Sequence, residues 1–178
     1  NKRLVMLKKR FVIFTISLSL AFAYGTCYAQ SHTCNKLNWL MGEWIGEGTG
    51  KPGDGKGSFT FKEDLSGRIL IRRNHSEYPP LGDKAGTVHD DLLVVYSDSL
   101  GNPSNAIYFD NEGHVINYHL SFTGSVCIFL SQKSDTFPVF KLTYTLTGPD
   151  VINIKFEMSQ NGGNFITYTE GLCKRRTL

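Results

Sequence analysis

Positive charge is scarce over most of this 178-residue chain. The surplus sits in residues 1–29, which hold Lys2, Arg3, Lys8, Lys9 and Arg10 and no acidic residue. Setting those five aside leaves 14 basic against 16 acidic residues, and the formal net charge moves from +3 to −2. Nucleic acid is thereby excluded as a partner, because phosphate binding needs a basic surface on the folded domain. Paired cysteines are missing too: there is no CxxC, and the histidines lack zinc-ligand spacing, so no metal site is expected. Neither a nucleophile elbow nor a phosphate-cradling glycine loop ahead of a helix occurs. Gly46-Glu47-Gly48-Thr49-Gly50 has the glycines, but they fall in a strand pattern, where they permit sharp bending. No segment is long enough for the helix of a βαβ crossover, which excludes parallel α/β folds. The apolar run Phe11–Gly25 is shorter than the roughly 20 residues that span a bilayer, so stable membrane insertion is not expected.

That run has another reading. Lys8-Lys9-Arg10 forms a basic n-region, Phe11–Gly25 an apolar h-region, and Cys27-Tyr28-Ala29 a small-residue site for cleavage before Gln30. Residues 1–29 are therefore expected to be a signal peptide and 30–178 an exported domain, periplasmic or secreted; an uncleaved anchor is the alternative. About 150 residues make one domain with room for a real core.

The body of the chain is rich in Thr, Val, Ile, aromatics and glycine, a composition that favours strands. Phe140, Leu142, Tyr144 and Leu146 alternate with Lys141, Thr143, Thr145 and Thr147. Ile152, Ile154, Phe156 and Met158 alternate with Asn153, Lys155 and Glu157, and Phe59, Phe61 and Leu65 read the same way. Period two means one buried and one wet face, as antiparallel sheets allow. Turn signals at Pro52-Gly53-Asp54-Gly55, Leu100-Gly101-Asn102-Pro103, Asn111-Glu112-Gly113, Thr147-Gly148-Pro149-Asp150 and Asn161-Gly162-Gly163 separate the runs. About ten antiparallel strands follow, near 43–49, 57–65, 68–77, 87–97, 105–110, 114–122, 125–131, 138–147, 151–159 and 164–174. Such a set makes a sandwich or an up-and-down barrel.

The ends of the chain favour the barrel. A helical turn at Asn35–Met41 feeds Gly42-Glu43-Trp44, and Arg175 lies near the other terminus. Trp44 covered by the Arg175 guanidinium is expected to close the base by a cation–π contact. Leu37-x-x-Leu40-x-Gly42-x-Trp44-x-Gly46-Glu47-Gly48 with a terminal Arg resembles the signature of the calycin superfamily, which includes lipocalins and fatty-acid-binding proteins. The longer pattern is most similar to nitrobindin-like ten-stranded barrels and to bacterial calycin-like families of unknown function. The resemblance implies a closed ligand-binding barrel. In nitrobindin-like barrels it also implies haem held by a proximal His near the start of the last strand. Aligning Arg175 with their terminal Arg puts Tyr168 at that place, and Phe165–Gly171 contains no His. Haem is accordingly disfavoured, and no cofactor is expected.

Strand parity nominates the interior. With Phe59 and Phe61 inside, Tyr118, Tyr144, Phe156 and Tyr168 complete an aromatic wall. Ile69 and Ile71 share a face with Arg73, His75 and Glu77, which nominates Arg73 and His75 as the polar anchors of a ligand, unless that strand end runs out to a solvated rim. His114, after its turn, reads as an exposed strand start. Beyond residue 29 stand Cys34, Cys127 and Cys173, an odd number for an oxidising compartment. Barrel closure would bring Cys34 beside Cys173 for a disulfide; three free thiols are the alternative. The function that follows is binding of a small apolar or amphipathic ligand without covalent chemistry. Two alternatives stay open: an enzyme acting on a lipid-like molecule in the same cavity, with His75 and Glu77 as acid and base, and a packed interaction module with no ligand.

Overall fold

The structure is a computed structural model that describes residues 33–46, 48, 54–133 and 137–177. The expected signal peptide, its cleavage site and the side chain of Cys34 lie outside the described residues. So do Pro52, Gly53 and most of the first glycine cluster. A 3-10 helix, Thr33–Leu40, leads into ten strands: β1 (Gly42–Gly46), β2 (Lys56–Asp64), β3 (Ile69–Tyr78), β4 (Thr87–Ser97), β5 (Pro103–Asp110), β6 (Val115–Thr123), β7 (Val126–Ser131), β8 (Val139–Gly148), β9 (Val151–Ser159) and β10 (Ile166–Arg175). Each pairs antiparallel with its neighbour in sequence, and β1 pairs with β10, so the sheet closes on itself as an up-and-down barrel. The alternation of apolar and polar residues is what allows this, since closure gives every strand one inner and one outer face.

The base is sealed by the two ends of the chain. Trp44 stands opposite Arg175 in the β1–β10 register and is fully buried. The Arg175 guanidinium lies 4.1 Å over the indole ring, a contact worth about 2 kcal/mol when desolvated. Its nitrogens also donate to the carbonyls of Trp39, at 2.9 Å, and Met41, which caps the end of the 3-10 helix. The indole Nε1 donates to the Leu40 carbonyl at 2.8 Å. Gly42 makes the approach possible: its φ of 103° is left-handed, and a Cβ there would stand 3.2 Å from Arg175 Nη1. Leu37 and Leu40 plug the floor and are fully buried.

Above this floor, rings cross the barrel in a chain of contacts. Trp44 stacks on Phe59 at 6.4 Å, Phe59 meets Phe61 at 5.9 Å, and Phe61 meets Tyr144 edge-on at 5.6 Å. Tyr144 then meets Phe129 at 5.9 Å and Phe129 meets Tyr118 at 6.2 Å. Edge-on packing of this kind adds to simple burial. With Leu70, Leu93, Val95, Cys127 and Ile152 also fully buried, the lower half of the barrel is a solid core.

One inward assignment is corrected. Leu65 was expected to continue the inner face of β2, but the strand ends at Asp64 and Leu65 enters the turn, 63% exposed. Leu65 and Ser66 both have positive φ, 49° and 58°, and Gly67 donates back to the Asp64 carbonyl at 3.1 Å. Gly67 is left-handed too, with φ 77°, and residues 65–68 make a four-residue hairpin loop between Asp64 and its partner Ile69.

Candidate functional site

Toward the end opposite the helix the interior changes character. The register brings Arg72 of β3 beside Leu93 and Phe61, and Asp91 of β4 beside Asn74 and Asp110, all on the inner face. Arg72 Nη1 donates to Asp91 Oδ1 at 2.6 Å, with side chains only 8% and 4% exposed. The guanidinium also lies 5.3 Å from the Phe59 ring centroid. Burial opposes the charge on Arg72, but Tyr144, Asp91, Tyr108 and Tyr118 around it prevail, so its pKa rises and it stays a cation. Two buried polar atoms in this region have no hydrogen-bond partner among the described residues: Arg72 Nε and the Tyr144 hydroxyl. They stand on β3 and β8, on opposite sides of the closed sheet. A buried donor left unpaired costs about 1–3 kcal/mol, so both donors face a place where something polar belongs.

A second set of groups rises from this pair to the mouth. His89 Nε2 lies 3.0 Å from the Tyr108 hydroxyl and 3.5 Å from Asp91 Oδ2, while Nδ1 is 3.0 Å from Glu112 Oε1. Hydrogen bonding to Asp91, opposed by partial burial and reinforced by Glu112, raises His89 to about 9. Tyr108 donates onward to Asp110 Oδ2 at 3.2 Å. Asp110 accepts from the backbone of Glu112 and His114 at 3.0 and 2.9 Å and thereby fixes the β5–β6 turn. His114, with its side chain 57% exposed, binds Asp110 Oδ2 at 2.8 Å. The opposite wall is apolar: Phe140 and Phe156 stack at 5.8 Å with Ile154 beside them, all only partly buried, as is Ile116, which stands next to Tyr108. Burial raises the phenols of Tyr108, Tyr118 and Tyr144, which therefore remain donors.

Of the residues nominated from parity, Phe59, Phe61, Tyr118 and Tyr144 are buried inside the barrel, and Phe156 lines its upper part. Arg73 and His75 are not inside. The inner face of β3 is Leu70, Arg72 and Asn74, because Phe61 pairs with Arg72 and Phe59 with Asn74. His75 sits on the outer surface with its side chain 52% exposed, bound to Asp90 at 2.7 Å and Glu77 at 3.4 Å. With Arg73, Ser58, Thr60, Leu92 and Phe109 it borders an open surface groove of about 590 Å³. Tyr168 is also displaced. The β9–β10 register shifts between Thr167 and Thr169, and this bulge carries Tyr168 to the rim, 72% exposed, edge-on to Phe156 at 6.1 Å. Arg72, Asp91, His89 and Tyr108 are the site residues that parity did not nominate.

Cys173 is a free, buried thiol, as is Cys127, while the side chain of its expected partner Cys34 lies outside the described residues. Burial raises Cys173 to about 11 and pushes Cys127 higher still. Neither is a thiolate near neutral pH, so neither is an activated nucleophile. Haem, which a nitrobindin-like barrel would carry, does not fit the residues present. The aromatic side chain in place of the proximal His points out at the rim, and the imidazole that faces the interior, His89, has both ring nitrogens engaged.

No model of a known protein family matches the chain, and no curated protein sequence matches it. Solved structures do. Rv2717c from M. tuberculosis superposes with a TM-score of 0.54 at 14% identity, over 82% of this chain and 98% of that one. An S-type phycobiliprotein lyase, CPES, from Guillardia theta gives 0.48 at 8% identity, over 79% of this chain and 90% of that one. At such identities the likeness is one of fold. That fold is the closed ten-stranded antiparallel β-barrel.

Proposed function

We propose that this barrel binds a small amphipathic molecule, taken in through the end opposite the helix and held without covalent chemistry. The observation that carries the reading is the pair of buried, unpartnered donors, Arg72 Nε and the Tyr144 hydroxyl, beneath a half-open apolar wall of Ile116, Phe140, Ile154 and Phe156. A packed interaction module would have replaced these donors with apolar groups or paired them. A few placed polar groups in an apolar hollow is how small-ligand sites are built. The basic, apolar and small-residue succession of Lys8–Ala29 further supports export, so the ligand would be met outside the cytoplasm. The nitrobindin-like pattern around Gly42 and Trp44 supports a relationship of architecture, without the haem.

Native mass spectrometry of the protein purified from an exporting host tests the reading. The expected spectrum contains a discrete additional mass of a few hundred daltons that is lost on denaturation. A bare polypeptide mass that also fails to take up any added amphipath would refute it.

A further inference from the structure

We propose that the polar end this barrel receives is a neutral hydrogen-bond acceptor, a carbonyl of the ketone, ester or amide kind, and not a carboxylate. The inference rests on the ligand-binding reading and narrows it to a substrate class.

The argument begins with charge. At the depth of the unpartnered donors there is one cation, Arg72, and it is already matched by Asp91 at 2.6 Å, both side chains being almost wholly buried. The other groups near the Tyr144 hydroxyl are the thiols of Cys127 and Cys173, which burial holds protonated. His89 is the next cationic group toward the mouth, and it is bound between Asp91 and Glu112. The lower site is thus neutral as it stands. A carboxylate arriving there would bring a second anion next to buried Asp91, which already engages both Arg72 and His89. Like charges sharing one buried site cannot both remain ionised without large cost.

Hydrogen-bond capacity points the same way. Both open positions are donors: a guanidinium N–H has no acceptor capacity, and a phenol O–H offers its proton when nothing else takes it. What such donors call for is acceptor lone pairs, and a carbonyl group supplies these without a proton of its own and without adding charge. A ligand ending in an ammonium group would bring a second cation beside buried Arg72 and has nothing to offer its open N–H. The stacked Phe140 and Phe156, with Ile154, offer partly buried apolar surface above for the rest of the molecule.

The test uses the full exported protein and two probes of nearly equal length, methyl pentadecyl ketone and palmitate, with affinities measured calorimetrically at pH 8. The ketone is expected to bind at least about tenfold more tightly than the acid. In Tyr144→Phe the ketone should weaken by about tenfold while the acid is little changed. Infrared spectra of the isotopically labelled ketone give a readout that needs no variant: its carbonyl stretch should move to lower wavenumber on binding. Palmitate binding as tightly as the ketone would overturn this inference and leave the ligand-binding reading standing. An unshifted carbonyl band, or unchanged ketone affinity in a folded Tyr144→Phe protein, would also overturn it, and would assign the two donors to a buried water. Failure of both probes, with no co-purified mass, would refute the ligand-binding reading itself.

Discussion

The two halves of the barrel are made from the same ten strands and the same alternation, yet they are different materials. Near the helix, Trp44, Phe61, Phe129, Leu37, Leu40 and Leu70 fill the interior completely, and the polar groups there, such as the Trp44 indole N–H and the Arg175 guanidinium, have partners. Toward the mouth, Ile116, Phe140, Ile154 and Phe156 are only partly buried, and charge enters as Arg72, Asp91, His89 and Asp110. The boundary between them holds the two unpartnered donors. The first half holds the large, fully buried apolar side chains. The second contains groups that a protein selected only for stability would replace, since buried ion pairs commonly gain little over well-packed apolar residues.

Substitutions can break that contrast in order of size. Trp44→Ala should cost about 3–5 kcal/mol, read from the urea midpoint, because it empties the base and strips Arg175 of its ring. Asp91→Ala should cost about 3–5 kcal/mol as well, since it leaves Arg72 buried and unpaired. The double change Arg72→Met with Asp91→Leu should instead be close to neutral in the same experiment while abolishing ligand uptake. That outcome would separate the two halves cleanly: a stability defect in one, a binding defect in the other. A double variant as unstable as Asp91→Ala would mean that the mouth is structural after all.

A smaller effect follows from pH. His89 titrates at about 9 in the folded protein, above the ordinary value near 6.5 that it has when unfolded. Its contribution to stability is therefore fully present below about pH 6.5 and is lost as the pH rises through about 9. His75, raised by its hydrogen bonds to Asp90 and Glu77, slopes in the same direction. The difference between wild type and His89→Gln across this window isolates the mouth residue, and the variant should show the shallower decline. Smallest is the turn at Leu65-Ser66. Asn-Gly there suits two left-handed positions better and should add about 0.5–1 kcal/mol without touching binding.

The fold was legible because its signals are local and repeated. Alternation in β8 and β9, and glycine-bearing turns between strands, are set by neighbouring residues and needed no knowledge of the whole. The interior of β3 was harder. Ile69, Leu70 and Ile71 are all apolar, so alternation alone leaves the strand's inner face open, and the adjacent Arg72 and Arg73 offer one candidate on each face. The deciding information lay in the hairpin: strands bounded near 65 and 68 leave an even number of residues between them, which pairs Phe61 with Arg72 and hands the inside to the even positions. Tyr168 was lost for another reason, since a bulge inserts one residue and reverses parity beyond it. His89 and Tyr108 become a site only through the β4–β5 pairing, which sets them beside Asp91 and Asp110 on the same inner face.

The most direct test of the account is a methyl-resolved NMR titration of the protein with methyl pentadecyl ketone. Shifts confined to Ile116, Ile154 and Met158, with Leu37, Leu40 and Leu70 unmoved, are the predicted result, because the base is fully packed and the mouth half is only partly buried. Shifts clustered instead at Leu92 and Val115 on the outer face, or spread evenly through the base, would contradict the division of the barrel into a packed half and a receiving half.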